Sequence, residues 1–97
     1  MSEYEDLNTY KSFISAYFNI SYRWNELGMA IDNFIEYEDK TDVEKLLTEL
    51  NSIQAMDDWE QLRKLNIETA GVYYDEARNK VFVQKVIDVL SEKLRLM

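Results

Sequence analysis

Apolar side chains recur at helical spacing from the start of this chain, with one polar position on the first stripe. They follow the i, i+3, i+4, i+7 pattern that is typical of an amphipathic helix. The first stripe comprises Leu7, Tyr10, Ile14, Tyr17, Ser21 and Trp24, with Phe13 and Phe18 beside it. The second comprises Trp24, Leu27, Ile31, Phe34 and Ile35. Glu38 would fall back on this second stripe, so we expect that helix to end between Tyr37 and Asp39. The two helices are separated near 19–21 or run on with a kink.

Three capping boxes mark further helix starts. In this motif a Ser, Thr or Asp is followed three residues later by Glu, and the two side chains satisfy backbone N–H groups. Ser2-x-x-Glu5 precedes the first stripe, Thr41-x-x-Glu44 opens a third helix, and Asp57-x-x-Glu60 opens a short one. The apolar residues of the third helix are Val43, Leu46, Leu47, Leu50 and Ile53, and those of the short helix are Trp59 and Leu62.

The last quarter of the chain ends in another amphipathic helix. Its apolar face comprises Val83, Val86, Ile87, Leu90, Leu94 and Met97. The stretch 71–83 fits either a β-hairpin or a loop that leads into this helix, and we favour the loop. With no proline and only two glycines, the pattern predicts an all-α fold. We expect one domain over 1–97, an antiparallel bundle of about four helices with a short extra helix or hairpin near 57–83.

The residue types present exclude most catalytic chemistry. The chain has no His and no Cys, so zinc sites and Ser-His-Asp machinery are impossible. Gly28 and Gly71 are isolated, which excludes a glycine-rich phosphate loop. We therefore expect no enzymatic activity and no cofactor. Paired carboxylates, such as Asp32 with Glu36, could hold Mg²⁺ or Ca²⁺, but a solvated helix face is the interpretation we favour.

The location is expected to be cytoplasmic. Without cysteine there is no disulfide framework. The first six residues are acidic, unlike the basic start of a signal peptide. The longest uncharged run, 12–22, is too short and too polar to span a bilayer.

Charge is distributed unevenly along the chain. The net charge is −8, but residues 1–62 hold 14 acids and 4 bases, whereas residues 63–97 hold 5 acids and 7 bases. Such self-repulsion costs stability, so the acidic part is expected either to meet a basic partner or only to confer solubility. The bases of the last third are too few to offset this field, so we expect no direct contact with nucleic acid.

The acidic residues of the second helix and the helix starts after it are the predicted partner-binding surface. Asp32, Glu36 and Asp39 lie opposite the apolar stripe and should be exposed together. Aromatic residues within acidic runs are typical interface anchors, but Trp59 is more simply a core residue, and Tyr37 fits both roles. The predicted surface comprises Asp32, Glu36, Tyr37, Glu38, Asp39, Asp42, Asp57, Asp58, Trp59 and Glu60.

Size, acidity and helical pattern together resemble the small immunity proteins of nuclease bacteriocins. The C-terminal third is similar to the colicin D immunity family in its tyrosine-acidic segment, Val72-Tyr73-Tyr74-Asp75-Glu76, before an amphipathic helix over 83–94. The resemblance implies a protein that blocks a basic tRNase or DNase toxin, with acidic side chains standing in for substrate phosphates. It also implies a place in a contact-dependent growth-inhibition pair. No family residue is carried over as a known contact.

Two other functions stay open. The chain fits a regulatory or structural subunit that buries an aromatic face, comprising Phe13, Tyr17, Phe18 and Trp24, against another protein or a second copy. It also fits an acidic DNA mimic that acts on host defence enzymes. Whether the chain is a monomer or a homodimer is not determined by the sequence.

Overall fold

Five α-helices and one 3-10 turn make up most of a computed structural model of the chain, which describes residues 7–18 and 24–96. The side chain of Trp24 lies outside the described part, as do Met97 and the possible capping box Ser2-x-x-Glu5. The break or kink predicted near 19–21 also falls there. The helices are α1 (Asn8–Ala16), α2 (Leu27–Tyr37), α3 (Lys40–Met56), α4 (Trp59–Ala70) and α5 (Glu76–Leu96), and the 3-10 turn is Trp24–Glu26.

The longest helix, α5, organises the packing. It contacts α2, α3 and α4, while α1 packs against α3 and α4. The radius of gyration is 12.3 Å, close to the value of about 12.5 Å expected for a globular chain of this length. No strand occurs in the described residues. The all-α prediction is confirmed, with α4 as the extra helix. The hairpin alternative is wrong, because residues 71–75 form a loop and α5 begins at Glu76.

The core is built from the predicted stripes. Each described helix buries the face that the apolar spacing predicts. Aromatic rings connect α1 and the residues that follow it to α2 and α5. Phe34 of α2 packs edge to face against Phe13 and Tyr17, each at 5.4 Å between ring centroids. Phe18 stacks on Phe82 of α5, also at 5.4 Å. Edge-to-face geometry suits the ring quadrupoles, so α1, α2 and α5 are joined through these contacts.

Two of the three predicted capping boxes are displaced from the real helix starts. The N-cap of α3 is Asp39, whose side chain accepts a hydrogen bond from Asp42 N, so the Thr41 capping box is wrong. The N-cap of α4 is Asp58 rather than Asp57. Asp57 instead ends α3 in the left-handed conformation (φ 53°), which Asp tolerates better than most residues.

A buried polar network joins three helices and a loop. The Tyr10 hydroxyl donates to Asn66 Oδ1 at 2.6 Å. Asn66 Nδ2 donates to Asn79 Oδ1 at 3.0 Å, and Asn79 Nδ2 donates to the Tyr74 carbonyl at 3.1 Å. Both asparagines are buried, and every buried side-chain polar atom of the described residues has a partner. The network therefore fixes α1 and the 71–75 loop against α4 and α5.

In the described part of the chain, none of the helices combines the length and the apolar composition needed to cross a membrane.

Candidate functional site

Acidic residues crowd the tight connection between α2 and α3. Helix α2 ends at Tyr37, and only Glu38 and Asp39 separate it from α3. Both linking residues have extended backbone conformations, which interrupt the helical path. Across this connection Asp42 N donates to Asp39, and Glu38 and Asp42 line the same cleft. We call this surface the acidic corner, and it comprises Glu36, Tyr37, Glu38, Asp39 and Asp42.

Tyr37 is the exposed aromatic group of the acidic corner. Its side chain is 71% exposed, and the structure assigns it no ring or hydrogen-bond contact with a described residue. The exposed Glu36 likewise has no hydrogen bond or ion pair with a described residue, whereas Asp39 is exposed but engaged as the α3 cap. The acidic corner thus presents an exposed aromatic ring beside carboxylates, and the Glu36 carboxylate makes no hydrogen bond or ion pair with a described residue.

Glu38 is half-buried beside Tyr17, the C-cap residue of α1. The Tyr17 hydroxyl donates to Glu38 Oε1 at 3.4 Å. Burial, and next the negative charge of Glu38, raise the pKa of the Tyr17 phenol above its ordinary value of 10.0. Tyr17 therefore remains a neutral donor, and it holds Glu38 against α1.

A shallow cleft opens where the acidic corner meets α1. Its volume is about 180 Å³, below the roughly 300–1,000 Å³ of typical small-molecule pockets. One wall carries Glu38 and Asp42, and α1 supplies polar side chains to the other. The lining comprises Asn8, Thr9, Ser12, Phe34, Glu38 and Asp42. A cleft of this size suits one side chain of a partner better than a cofactor.

Asp32 lies apart from the acidic corner. It is exposed, as predicted, but its carboxylate pairs with Lys93 Nζ of α5 at 3.6 Å. Exposed pairs of this kind contribute little stability. This ion pair connects α2 to α5, and it lies one helical turn before Glu36, where the acidic corner begins.

The second predicted cluster, Asp57, Asp58, Trp59 and Glu60, is used by the fold itself. Asp57 accepts a hydrogen bond from Trp59 Nε1, Asp58 caps α4, and Glu60 forms an ion pair with Arg63 at 2.9 Å. That pair lowers the pKa of the exposed Glu60 carboxyl, through the Arg63 hydrogen bond first and its charge second. Trp59 is only 6% exposed. It therefore belongs to the core, the simpler of the two roles considered, and offers a partner little ring surface.

The aromatic face required by the subunit hypothesis is turned inward. Phe13 and Phe18 are about 1% exposed or less, and Tyr17 is partly buried. The described rings of that face already pack within the chain, so the prediction of an exposed aromatic face is wrong for these three residues.

The carboxylates of the described residues do not converge on a metal. No group of three or more acidic residues there has an arrangement that could hold an ion. The chemistry that this surface supports is recognition of cationic and aromatic groups.

Sequence reasoning missed two surface features. The α1 wall of the cleft lies about thirty residues from the corner in sequence, so no local pattern could reveal it. The exposed side chain of Val81 on α5 (56% exposed) was also missed, because this residue lies off the apolar stripe that defines the helix. Comparison with protein families, with curated proteins and with solved structures found no match to this chain.

Proposed function

We propose that the chain is an immunity protein that binds a basic nuclease toxin and blocks its active site. The observation that supports this most directly is the acidic corner, where an exposed tyrosine stands among carboxylates beside a cleft of side-chain size. The uneven charge of the chain and the resemblance to bacteriocin immunity proteins agree with it. The substrate of the toxin is proposed to be tRNA.

In this mechanism the acidic corner replaces the nucleic acid. Carboxylates of Glu36, Glu38 and Asp39 meet the cationic groove that normally holds phosphates, and complementary charge raises the association rate. Tyr37 supplies a rigid aromatic anchor of the kind that dominates interface energetics. A Lys or Arg side chain of the toxin enters the cleft between Glu38 and Asp42.

The other properties of the proposed protein follow from this role. It catalyses no reaction, needs no cofactor and does not touch nucleic acid itself. It acts in the cytoplasm, where an incoming or newly made nuclease would find its substrate.

The proposal predicts that a nuclease toxin is encoded immediately upstream of this gene, and the test uses the nuclease domain of that toxin as the probe. Two variants of the chain, Glu36→Lys and Tyr37→Ala, change corner residues that make no hydrogen bond or ion pair with described residues. The matched control is Glu68→Lys, which makes the same charge change at an exposed position of α4. All three should keep the circular dichroism spectrum of the parent.

We expect Tyr37→Ala to raise the dissociation constant by roughly 30-fold, because truncating a central aromatic anchor costs about 2 kcal/mol or more. Glu36→Lys should slow association and flatten its dependence on salt, since exposed charges are screened over about 10 Å at 0.1 M. Glu68→Lys should protect toxin-expressing cells as well as the parent does. Full protection by both corner variants would exclude this surface, and failure of the parent to bind the nuclease would refute the function.

A further inference from the structure

The cleft between the acidic corner and α1 has two chemically different walls. One wall carries the carboxylates of Glu38 and Asp42, and the other carries the amide and hydroxyl groups of Asn8, Thr9 and Ser12. The described lining contains no Lys or Arg. The cleft is therefore rich in hydrogen-bond acceptors, and its described lining holds no base that would neutralise the two carboxylates.

Most of these polar groups are not used by the fold. Asp42 contributes its backbone N–H to the α3 cap, but its carboxylate has no hydrogen bond or ion pair with a described residue. Glu38 accepts the Tyr17 hydroxyl through Oε1, which leaves its second oxygen available. The three α1 side chains likewise make no hydrogen bond with a described residue. A group that enters the cleft must therefore bring hydrogen-bond donors and positive charge.

Two helices begin beside the cleft, and the N-terminal end of a helix carries partial positive charge that disfavours a cation. Carboxylates offset this charge at both helix starts. Glu49 of α3 accepts a hydrogen bond from Tyr10 N in the first turn of α1, at 3.0 Å. Asp39 accepts the corresponding bond at the start of α3. The two wall carboxylates are therefore left to interact with a cation.

We propose that the cleft binds an arginine guanidinium group, and this inference rests on the proposed function for the identity of the partner. A guanidinium is planar and carries five N–H donors, so it can bond to carboxylates on one wall and to neutral oxygens on the other. Phe34 also lines the cleft, and the weakly hydrated guanidinium tolerates contact with a ring better than a strongly hydrated ammonium does. A nuclease that holds phosphates with arginine side chains supplies such a group.

Titration with small analogues tests the inference on the intact chain without a nuclease. Propylguanidinium and butylammonium carry the head groups of Arg and Lys, and heteronuclear NMR at constant ionic strength follows the backbone amides of Ser12, Glu38 and Asp42. Propylguanidinium should shift these amides in a saturable way, with a dissociation constant on the order of 10 mM. Butylammonium should bind at least about fivefold more weakly, because its three donors do not form a planar fork.

Two substitutions with matched controls assign the binding to the two walls. Asp42→Asn keeps the backbone N–H of the α3 cap and should raise the dissociation constant of propylguanidinium roughly tenfold, because it removes a charge-assisted hydrogen bond. Asp88→Asn, the same change on the exposed surface of α5, should leave it unchanged. Ser12→Ala should raise it about threefold through loss of a neutral hydrogen bond, whereas Ser91→Ala, at an exposed position of α5, should not. All four variants should keep the circular dichroism spectrum of the parent.

Amides of the cleft that show no saturable shift with propylguanidinium overturn the inference, as does an affinity that Asp42→Asn leaves unchanged. Equal binding of the two analogues overturns the preference for arginine. Nuclease binding by the parent is measured separately. A parent that binds propylguanidinium in the cleft but not the nuclease refutes the immunity function and leaves the guanidinium site standing, whereas a parent that binds the nuclease but not the analogue refutes only the site.

Discussion

The buried network around Asn66 allows a prediction in which the cost of one substitution depends on whether a second residue is present. Tyr10→Phe removes a hydroxyl that donates to Asn66 Oδ1 at 2.6 Å in a site with no exposed surface on Tyr10. The amide oxygen is then buried without this donor, which costs about 1–3 kcal/mol. For a domain of this size each kcal/mol lowers the melting temperature by roughly 4–8 °C.

The same substitution should cost much less when Asn66 is already absent. Asn66→Leu removes the amide that accepts from the Tyr10 hydroxyl and donates to Asn79 Oδ1. Loss of each of these hydrogen bonds costs about 1–3 kcal/mol, so this variant is the less stable single mutant. In its background Tyr10→Phe removes a hydroxyl whose bond to Asn66 is already gone, so we expect a coupling energy between the two positions of about 1–3 kcal/mol.

Urea unfolding followed by circular dichroism measures all four free energies of unfolding in the cycle. An m-value of about 1–3 kcal/mol per molar urea resolves differences of this size. Tyr37→Phe is the matched control: this side chain is 71% exposed, so losing its hydroxyl should change stability by less than about 0.5 kcal/mol. If Tyr10→Phe destabilised both backgrounds equally, the hydroxyl and the amide would not be coupled and the reasoning would be refuted.

Two further predictions concern the acidic corner and its neighbours. Asp39→Ala should lower the free energy of unfolding by about 1 kcal/mol through loss of the α3 cap, while Thr41→Ala, measured by the same urea titration, should change it by less than about 0.5 kcal/mol; equal losses would restore Thr41 as the cap. Because the pKa of Tyr17 is raised above 10.0 by burial and by Glu38, its contribution to stability is present below pH 10 and is lost as pH rises through the folded-state pKa. Tyr17→Phe should therefore flatten the decline of stability above pH 10, and an unchanged slope would contradict the assignment.

Helix identity could be predicted because burial follows the period of the helix. The residues of α5 from Val83 to Leu90 illustrate this: the predicted apolar positions are the buried ones. Helix starts were harder, because two residues near each start can accept the same kind of hydrogen bond. Asp39 and Thr41 both fit an N-cap, and only the extended backbone at Asp39 (φ −85°, ψ 173°) decides between them.

The buried asparagines show where a polarity pattern fails. Asn66 is four residues after Leu62, and Asn79 is four residues before Val83, so both lie on buried faces. Polarity alone would assign them to the surface. What places them inside is their mutual hydrogen bond together with Tyr10 and the Tyr74 carbonyl. These partners are up to 56 residues apart in sequence.

Carboxylates at helix boundaries serve two competing purposes in this fold. A side chain that caps a helix directs an oxygen toward backbone N–H groups, so it is less available to a partner, and its reversal removes a cap as well as a charge. Asp39 and Asp58 are in this position, and Asp32 is held by Lys93. Reversing Asp39 would therefore confound binding with folding. Glu36 and the neighbouring Tyr37 carry no such structural duty among the described residues. They are thus the two positions where a loss of binding can be assigned to recognition alone.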